Sequence, residues 1–194
     1  SIVLPDSVQV VETDAFADCT TLKNVSFAET TVICYDAFDG TPWLTSLAQK
    51  VVDRVTDEND TLFEKAVAIH DWLTEECCYD LTYTYYAPEG MFLYNTGVCN
   101  AYAESYQMML ELVGIEVQFV TGTGNGGLHA WNLIKLDGDW YHVDCTWDDP
   151  VPDGGENHQY CFITDEVMAR DHWWDASDYP AATGTRYFQG KDTQ

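Results

Sequence analysis

Cys99, His129 and Asp144 are the residues of this chain whose types, order and spacing point to chemistry. Cys99 stands in Gly97-Val98-Cys99-Asn100-Ala101-Tyr102-Ala103. His129 opens His129-Ala130-Trp131-Asn132. Asp144 lies in Val143-Asp144-Cys145-Thr146-Trp147-Asp148-Asp149-Pro150. A thiol attacks as its thiolate, so it needs a base to take the proton. An imidazole supplies that base, and a carboxylate orients the imidazole and stabilises its cation. Such a set performs acyl transfer through a thioester. A lone cysteine is as a rule a small buried hydrophobe. The conjunction in the correct order sets these three residues apart.

The elements around them have to bring them together. Tyr102, Tyr106, Met109, Leu110 and Val113 recur with helical spacing, and Gly114 supplies a stop, so a helix begins at or near Cys99. The unpaired N–H groups and dipole of a helix start favour a thiolate and can hold a developing oxyanion. His129 and Asp144 lie on two alternating runs joined by Asp137-Gly138, a strong signal for a two-residue hairpin turn. In that register Leu136 faces Asp139, Leu133 faces His142 and Trp131 faces Asp144. His129, Trp131 and Asp144 then share one face, with His129 diagonal to Asp144 at roughly 7–8 Å between backbones. A three-residue turn would flip the second strand and separate the pair.

These motifs resemble those of the transglutaminase-like superfamily of cysteine proteases and acyltransferases. The resemblance runs from about residue 60 to about residue 180. It includes Glu64-Lys65-Ala66, His70-Asp71-Trp72-Leu73 and Tyr79-Asp80 before the nucleophile, and Trp140-Tyr141-His142-Val143-Asp144 on the strand that delivers the acid. It ends in Tyr160 to Glu166 and Arg170-Asp171-His172. Carried over, it implies Cys99 as nucleophile, His129 as base and Asp144 as orienter. It also implies an α+β, papain/transglutaminase-like fold, with the nucleophile helix packed on an antiparallel sheet. Tyr94, Tyr79 and Trp72 are the upstream polar aromatics that could supply a second oxyanion donor, and the sequence does not choose among them.

Residues 1–45 read differently. Ala15-Phe16 recurs as Ala37-Phe38 and Leu22 as Leu44, both at an offset of 22 residues. The pattern resembles a bacterial surface leucine-rich repeat, whose period falls in the same range. We therefore divide the chain into a truncated repeat segment, 1–45, and a transglutaminase-like domain, 46–194. The repeat resemblance implies an extracellular or cell-surface setting. The chain starts mid-pattern, with no visible signal peptide, as a mature form or an excised fragment would.

Composition narrows the partners. Eight Lys and Arg stand against 33 Asp and Glu, a net charge of −25, which argues against nucleic acid and anionic membranes. No apolar run approaches the roughly 20 residues of a membrane span. Of seven cysteines, no pair has CxxC spacing, so no zinc site is expected, and no cofactor is called for. Cys145 follows Asp144 on a strand and should point into the core.

Several further signals are read as structural. A short helix is expected from Leu47 to Val55. A longer one starts at Thr61, whose spacing to Glu64 is that of a capping box, and carries His70 on its core or boundary. Gly122, Gly124 and Gly127 match a GxGxxG spacing, but a strand follows rather than a helix, so they are expected to form a flexible loop beside the site. Asp148, Asp149, Asp153 and Glu156 fit no calcium loop and read as a solvated acidic stretch. The expected function is thiol-dependent acyl chemistry on a peptide or protein amide, with hydrolysis favoured over crosslinking because the glycine stretch suggests an open edge. The competing reading is a non-catalytic binding module.

Overall fold

The computed structural model describes residues 1–149 and 157–188. Two short units open the chain. Strands β1 (Ile2–Val3) and β2 (Val10–Val11) belong to the first, β3 (Val25–Ser26) and β4 (Val32–Ile33) to the second. They pair in parallel, Ile2 with Val25 and Val11 with Ile33. The 22-residue recurrence is thus realised as one unit laid on the next. Phe16 stacks on Phe38 with ring centroids 5.2 Å apart, and Leu22 and Leu44 are both buried in the small core they share.

Helix α1 (Pro42–Val55) starts at Pro42 rather than at Leu47. Thr41 caps it, accepting from the Leu44 N–H, and a proline in the first turn loses no needed hydrogen bond. Its first turn packs Trp43 edge-on against Phe38 at 4.5 Å, whereas Ala48 and Val52 lie in the main core. Helix α2 (Leu62–Glu76) begins with the expected capping box between Thr61 and Glu64. There follow β5 (Cys78–Tyr79), α3 (Pro88–Tyr94), β6 (Thr96–Gly97) and α4 (Cys99–Leu112).

The rest of the fold is an antiparallel sheet. Strands β7 (Glu116–Gly124), β8 (Gly127–Leu136) and β9 (Asp139–Val143) form a meander. After the short helix α5 (Asp165–Met168), β10 (His172–Trp173) returns to the free edge of β7. The main core lies between this sheet and helices α1, α2 and α4. Tyr102, Tyr106, Met109 and Leu110 of α4 meet Ile134, Leu136, Tyr141 and Val143 there. This is the expected α+β arrangement, a helix starting at Cys99 packed on an antiparallel sheet. No helix among the described residues is long and apolar enough to cross a membrane.

Two expectations are corrected. Gly122 to Gly127 is not a flexible loop. Strand β7 runs through Gly124, turns at Asn125-Gly126 and returns at Gly127, paired throughout. The glycines are there for close approach: a Cβ on Gly122 would overlap the Trp173 carbonyl, and one on Gly124 would sit 2.7 Å from Trp147. Asp148 and Asp149 are not solvated either. Both are buried, Asp148 against His70 at 3.1 Å and Asp149 accepting from the Tyr102 hydroxyl. Asp153 and Glu156 lie outside the described residues.

Candidate active site

The site is assembled where α4 begins against the sheet. Tyr79 pairs with Gly97, so the β5–β6 ladder delivers the chain to Val98 and Cys99. Gly97 allows a close fit, because a Cβ there would press on Ala101 and Met91. Val98 offers no side-chain cap to the helix, which leaves first-turn N–H groups for other acceptors. Asn132 of β8 donates to the Ala103 carbonyl of α4 at 3.0 Å, a buried tie that sets the sheet against the helix.

His129 and Asp144 meet as the hairpin parity requires. Asp137 and Gly138 both adopt positive φ, and Leu136–Asp139, Leu133–His142 and Asn132–Val143 are opposed pairs. His129 Nε2 lies 2.6 Å from Asp144 Oδ2. With Nε2 so committed, Nδ1 is left for the thiol. The Cys99 thiol faces both the His129 ring and the Ala130 N–H, close enough for each to favour its thiolate.

Asp144 is buried and uses both oxygens. Oδ1 accepts from the N–H groups of Thr146 and Trp147, closing the turn after β9. Oδ2 accepts from His129 and, at 3.2 Å, from His172 Nε2. The other nitrogen of His172 is 2.7 Å from Asp171, which accepts from the Tyr160 hydroxyl. His172 and its neighbours are the part of the site that spacing arguments missed. Asp171-His172 stood in the family-like tail, but its place comes from the pairing of β10 with β7, His172 opposite Gly124. Aromatic rings enclose the pair: Trp131 and Trp147 each lie 5.8 Å from the His129 ring, and His172 5.4 Å.

The electrostatics follow from this geometry. Burial alone would raise the Asp144 carboxyl, but the charge and hydrogen bonds of His129 and His172 pull it down to about 2. Burial alone would lower His129, yet the Asp144 carboxylate, with help from Cys99, lifts it to about 10. The Cys99 thiol is pushed up by burial and pulled down further by His129 and the Ala130 N–H, ending below its ordinary value. Cys77, Cys145 and Cys161 are driven up instead, burial being the main cause. Cys145 lies in the core as expected, but not by strand alternation: β9 ends at Val143, and Asp144 and Cys145 belong to the turn that follows.

The three oxyanion candidates separate in space. Tyr94 donates to the Thr31 carbonyl. Trp72 is buried against Phe92. Of the three, Tyr79 alone lies beside Cys99; burial and then the nearby thiol push its phenol up to about 12, so it stays protonated. Among the described residues, ligand atoms converge within 4.8 Å in His129–Asp144–His172, His70–Asp71–His158 and His70–Asp148–Cys161. In each, the histidine and carboxylate atoms are already joined to one another by hydrogen bonds.

The family model of the transglutaminase-like superfamily matches residues 47–145, half of the chain. The chain belongs to the transglutaminase-like superfamily. The human kyphoscoliosis peptidase is 27% identical over 116 residues, covering 50% of this chain and 18% of that protein. This transglutaminase-like chain therefore spans under a fifth of that curated relative. Among solved structures, the crystal structure of a TGase superposes with a TM-score of 0.51 at 14% identity, over 60% of this chain and 35% of its own. The ethylmercury-bound periplasmic domain of TgpA from Pseudomonas aeruginosa gives 0.42 at 19% identity, over 57% and 45%. The TGase likeness concerns the fold, a helix start facing an antiparallel sheet.

Proposed function

We propose that this transglutaminase-like domain is a thiol enzyme acting on peptide or protein amides. Cys99 is the nucleophile, His129 the base and then the acid, and Asp144 the group that holds His129. The thiolate sulfur adds to the amide carbonyl carbon. The oxyanion is met by N–H groups at the start of α4 and by the Tyr79 hydroxyl. His129 gives its proton to the departing nitrogen as the C–N bond breaks, leaving a thioester on Cys99. Water, deprotonated by His129, then releases the acid and restores the thiol. The single observation that carries this reading is the convergence of the Cys99 thiol on His129, which is itself hydrogen-bonded to a buried, ionised Asp144.

Hydrolysis remains the favoured outcome, on a different ground from the open glycine edge, which the ordered hairpin removes. Trp131 is 1% exposed and serves as core, its indole N–H bound to His142, so it forms no channel wall over the thiol. A crosslinking enzyme needs its thioester shielded from water. The half-exposed Trp147 beside His129 is what favours the second reading, transfer to an amine.

The test compares the protein with its Cys99→Ala variant in a casein digestion assay, alongside incorporation of a labelled primary amine into a glutamine-containing protein. Cleavage should fall by about 10³-fold or more in the variant. Amine incorporation outrunning cleavage would select the transferase. Neither activity, with Cys99 unreactive, would select a binding module.

A further inference from the structure

Helix α2 carries a second set of histidine and carboxylate groups, none of them used in the reaction proposed at Cys99. His70 is fully buried, and Asp71 Oδ1 lies 3.0 Å from its Nδ1. Adjacent residues of a helix do not ordinarily face each other, so the Asp71 carboxylate is turned back toward its neighbour. His158 comes to the same oxygen from 87 residues along the chain, its Nε2 2.8 Å away. Two imidazole nitrogens and a carboxylate oxygen thus converge, all within 4.8 Å of one another.

The far nitrogen of His70 sets this cluster apart from a chance meeting of charges. Nε2 lies 3.1 Å from Asp148 Oδ2, and the Asp148 side chain is completely buried. The other oxygen of Asp148 accepts from the Tyr160 N–H at 2.9 Å, so the carboxylate is held on both sides. A carboxylate on one imidazole nitrogen keeps the proton there and presents the lone pair of the other nitrogen to a metal. Nδ1 of His70 is presented in this way beside Asp71 and His158. The side chains of His158 and Asp71 are 29% and 28% exposed, so an ion can enter and keep water as a further ligand. Two imidazoles and one carboxylate suit zinc, whereas calcium and magnesium take oxygen shells. His70 also converges with Asp148 and Cys161, but that set is buried throughout and burial pushes its thiol up. We propose that His70 Nδ1, Asp71 Oδ1 and His158 Nε2 bind a zinc ion, with Asp148 as the carboxylate behind His70. The ion takes the place of the protons through which the two rings meet Asp71, and it ties α2 to the segment at His158. The site stands whether or not Cys99 is a nucleophile.

The experiment uses the full chain carrying Cys99→Ala, stripped with a chelator and titrated with zinc sulfate in a calorimeter. Cobalt(II) is added in parallel and followed by its visible spectrum, and calcium chloride serves as the control. Zinc is expected to bind saturably and to raise the melting temperature. Cobalt should give ligand-field bands without a thiolate charge-transfer band. Binding displaces protons, so affinity should fall as pH drops through the histidine range. His158 belongs to none of the hydrophobic cores, so His158→Ala should keep the fold and abolish both the heat and the thermal shift. Asp148→Asn keeps the shape behind His70 and should weaken zinc about tenfold. The site is overturned if zinc gives no saturable heat, if His158→Ala binds as its parent does, or if the cobalt spectrum shows a thiolate ligand. It is equally overturned if His172→Phe, and not His158→Ala, removes binding, or if calcium binds more tightly than zinc.

Discussion

Asp144 accepts four hydrogen bonds on two oxygens, two from its own turn and two from histidines. That density of donors keeps a buried carboxyl ionised. An ionised Asp144 in turn keeps His129 protonated up to about pH 10, and an imidazolium beside a thiol stabilises the thiolate. Two predictions belong at this scale. Limited iodoacetamide labelling near pH 6.5, followed by peptide mapping, should find Cys99 first among the seven cysteines. Its alkylation should rise through a pKa below the ordinary thiol value, and turnover should fall only as pH climbs through about 10, where His129 loses its proton. The second prediction concerns His172. His172→Phe keeps a ring among Trp131, Trp147 and Tyr160 but removes one donor from Asp144, so the Asp144 carboxyl should rise and the acid limb of turnover move to higher pH. We expect kcat to fall about tenfold with KM unchanged, the worth of one hydrogen bond to a charged group. His172→Gln should recover part of the loss. A purely packing role would leave the acid limb in place.

Among elements, the β8–β9 hairpin decides the most. Its two-residue turn makes Asp144 share a face with His129, and side-chain direction reverses with every single-residue slip. Inserting one alanine between Asp137 and Gly138 should turn Asp144 away from His129 and abolish the selective labelling of Cys99. Inserting two residues restores the parity and should restore most of the labelling. Circular dichroism on each variant separates loss of the site from loss of the sheet. Labelling of the one-residue variant at the parental rate would refute the register argument. The β7–β8 hairpin plays a different part. Its glycines let the backbone lie against Trp131, Trp147, His129 and Trp173, so an expected flexible edge is an ordered, paired hairpin.

For the whole molecule, a net charge of −25 on 194 residues sets the electrostatic background. The excess of like charge opposes compaction, and screening lengths shrink from about 30 Å at 0.01 M salt to about 8 Å at 0.15 M. Raising sodium chloride across that range at neutral pH should lift the melting temperature by several degrees, about 1–2 kcal/mol for a chain this size. Near pH 4.1, the isoelectric point, the same addition should have little effect. Scanning calorimetry at both pH values checks this. A salt response of equal size at both would remove the charge explanation.

The sequence by itself determined whatever depends on near neighbours along the chain. The helix start at Cys99, the capping box at Thr61, the Asp137-Gly138 turn and hence the shared face of His129 and Asp144 all follow from periodicity, capping and turn chemistry. The start of α1 was written there too, in Thr41-Pro42, but Leu44 also matches Leu22 of the repeat, and one residue serves both elements. Tertiary structure decided what depends on distant segments meeting. His172 reaches Asp144 only because β10 returns to β7 after a long excursion. The β5–β6 pairing brings Tyr79, and not Tyr94 or Trp72, beside Cys99. Asp148 becomes a buried partner of His70, 78 residues away in the chain. Among the described residues Glu89 has one oxygen without a donor, because Phe38, 51 residues away, answers only the other. Such contacts carry no local periodicity, since burial and side-chain partnership are properties of the packed chain and not of its order.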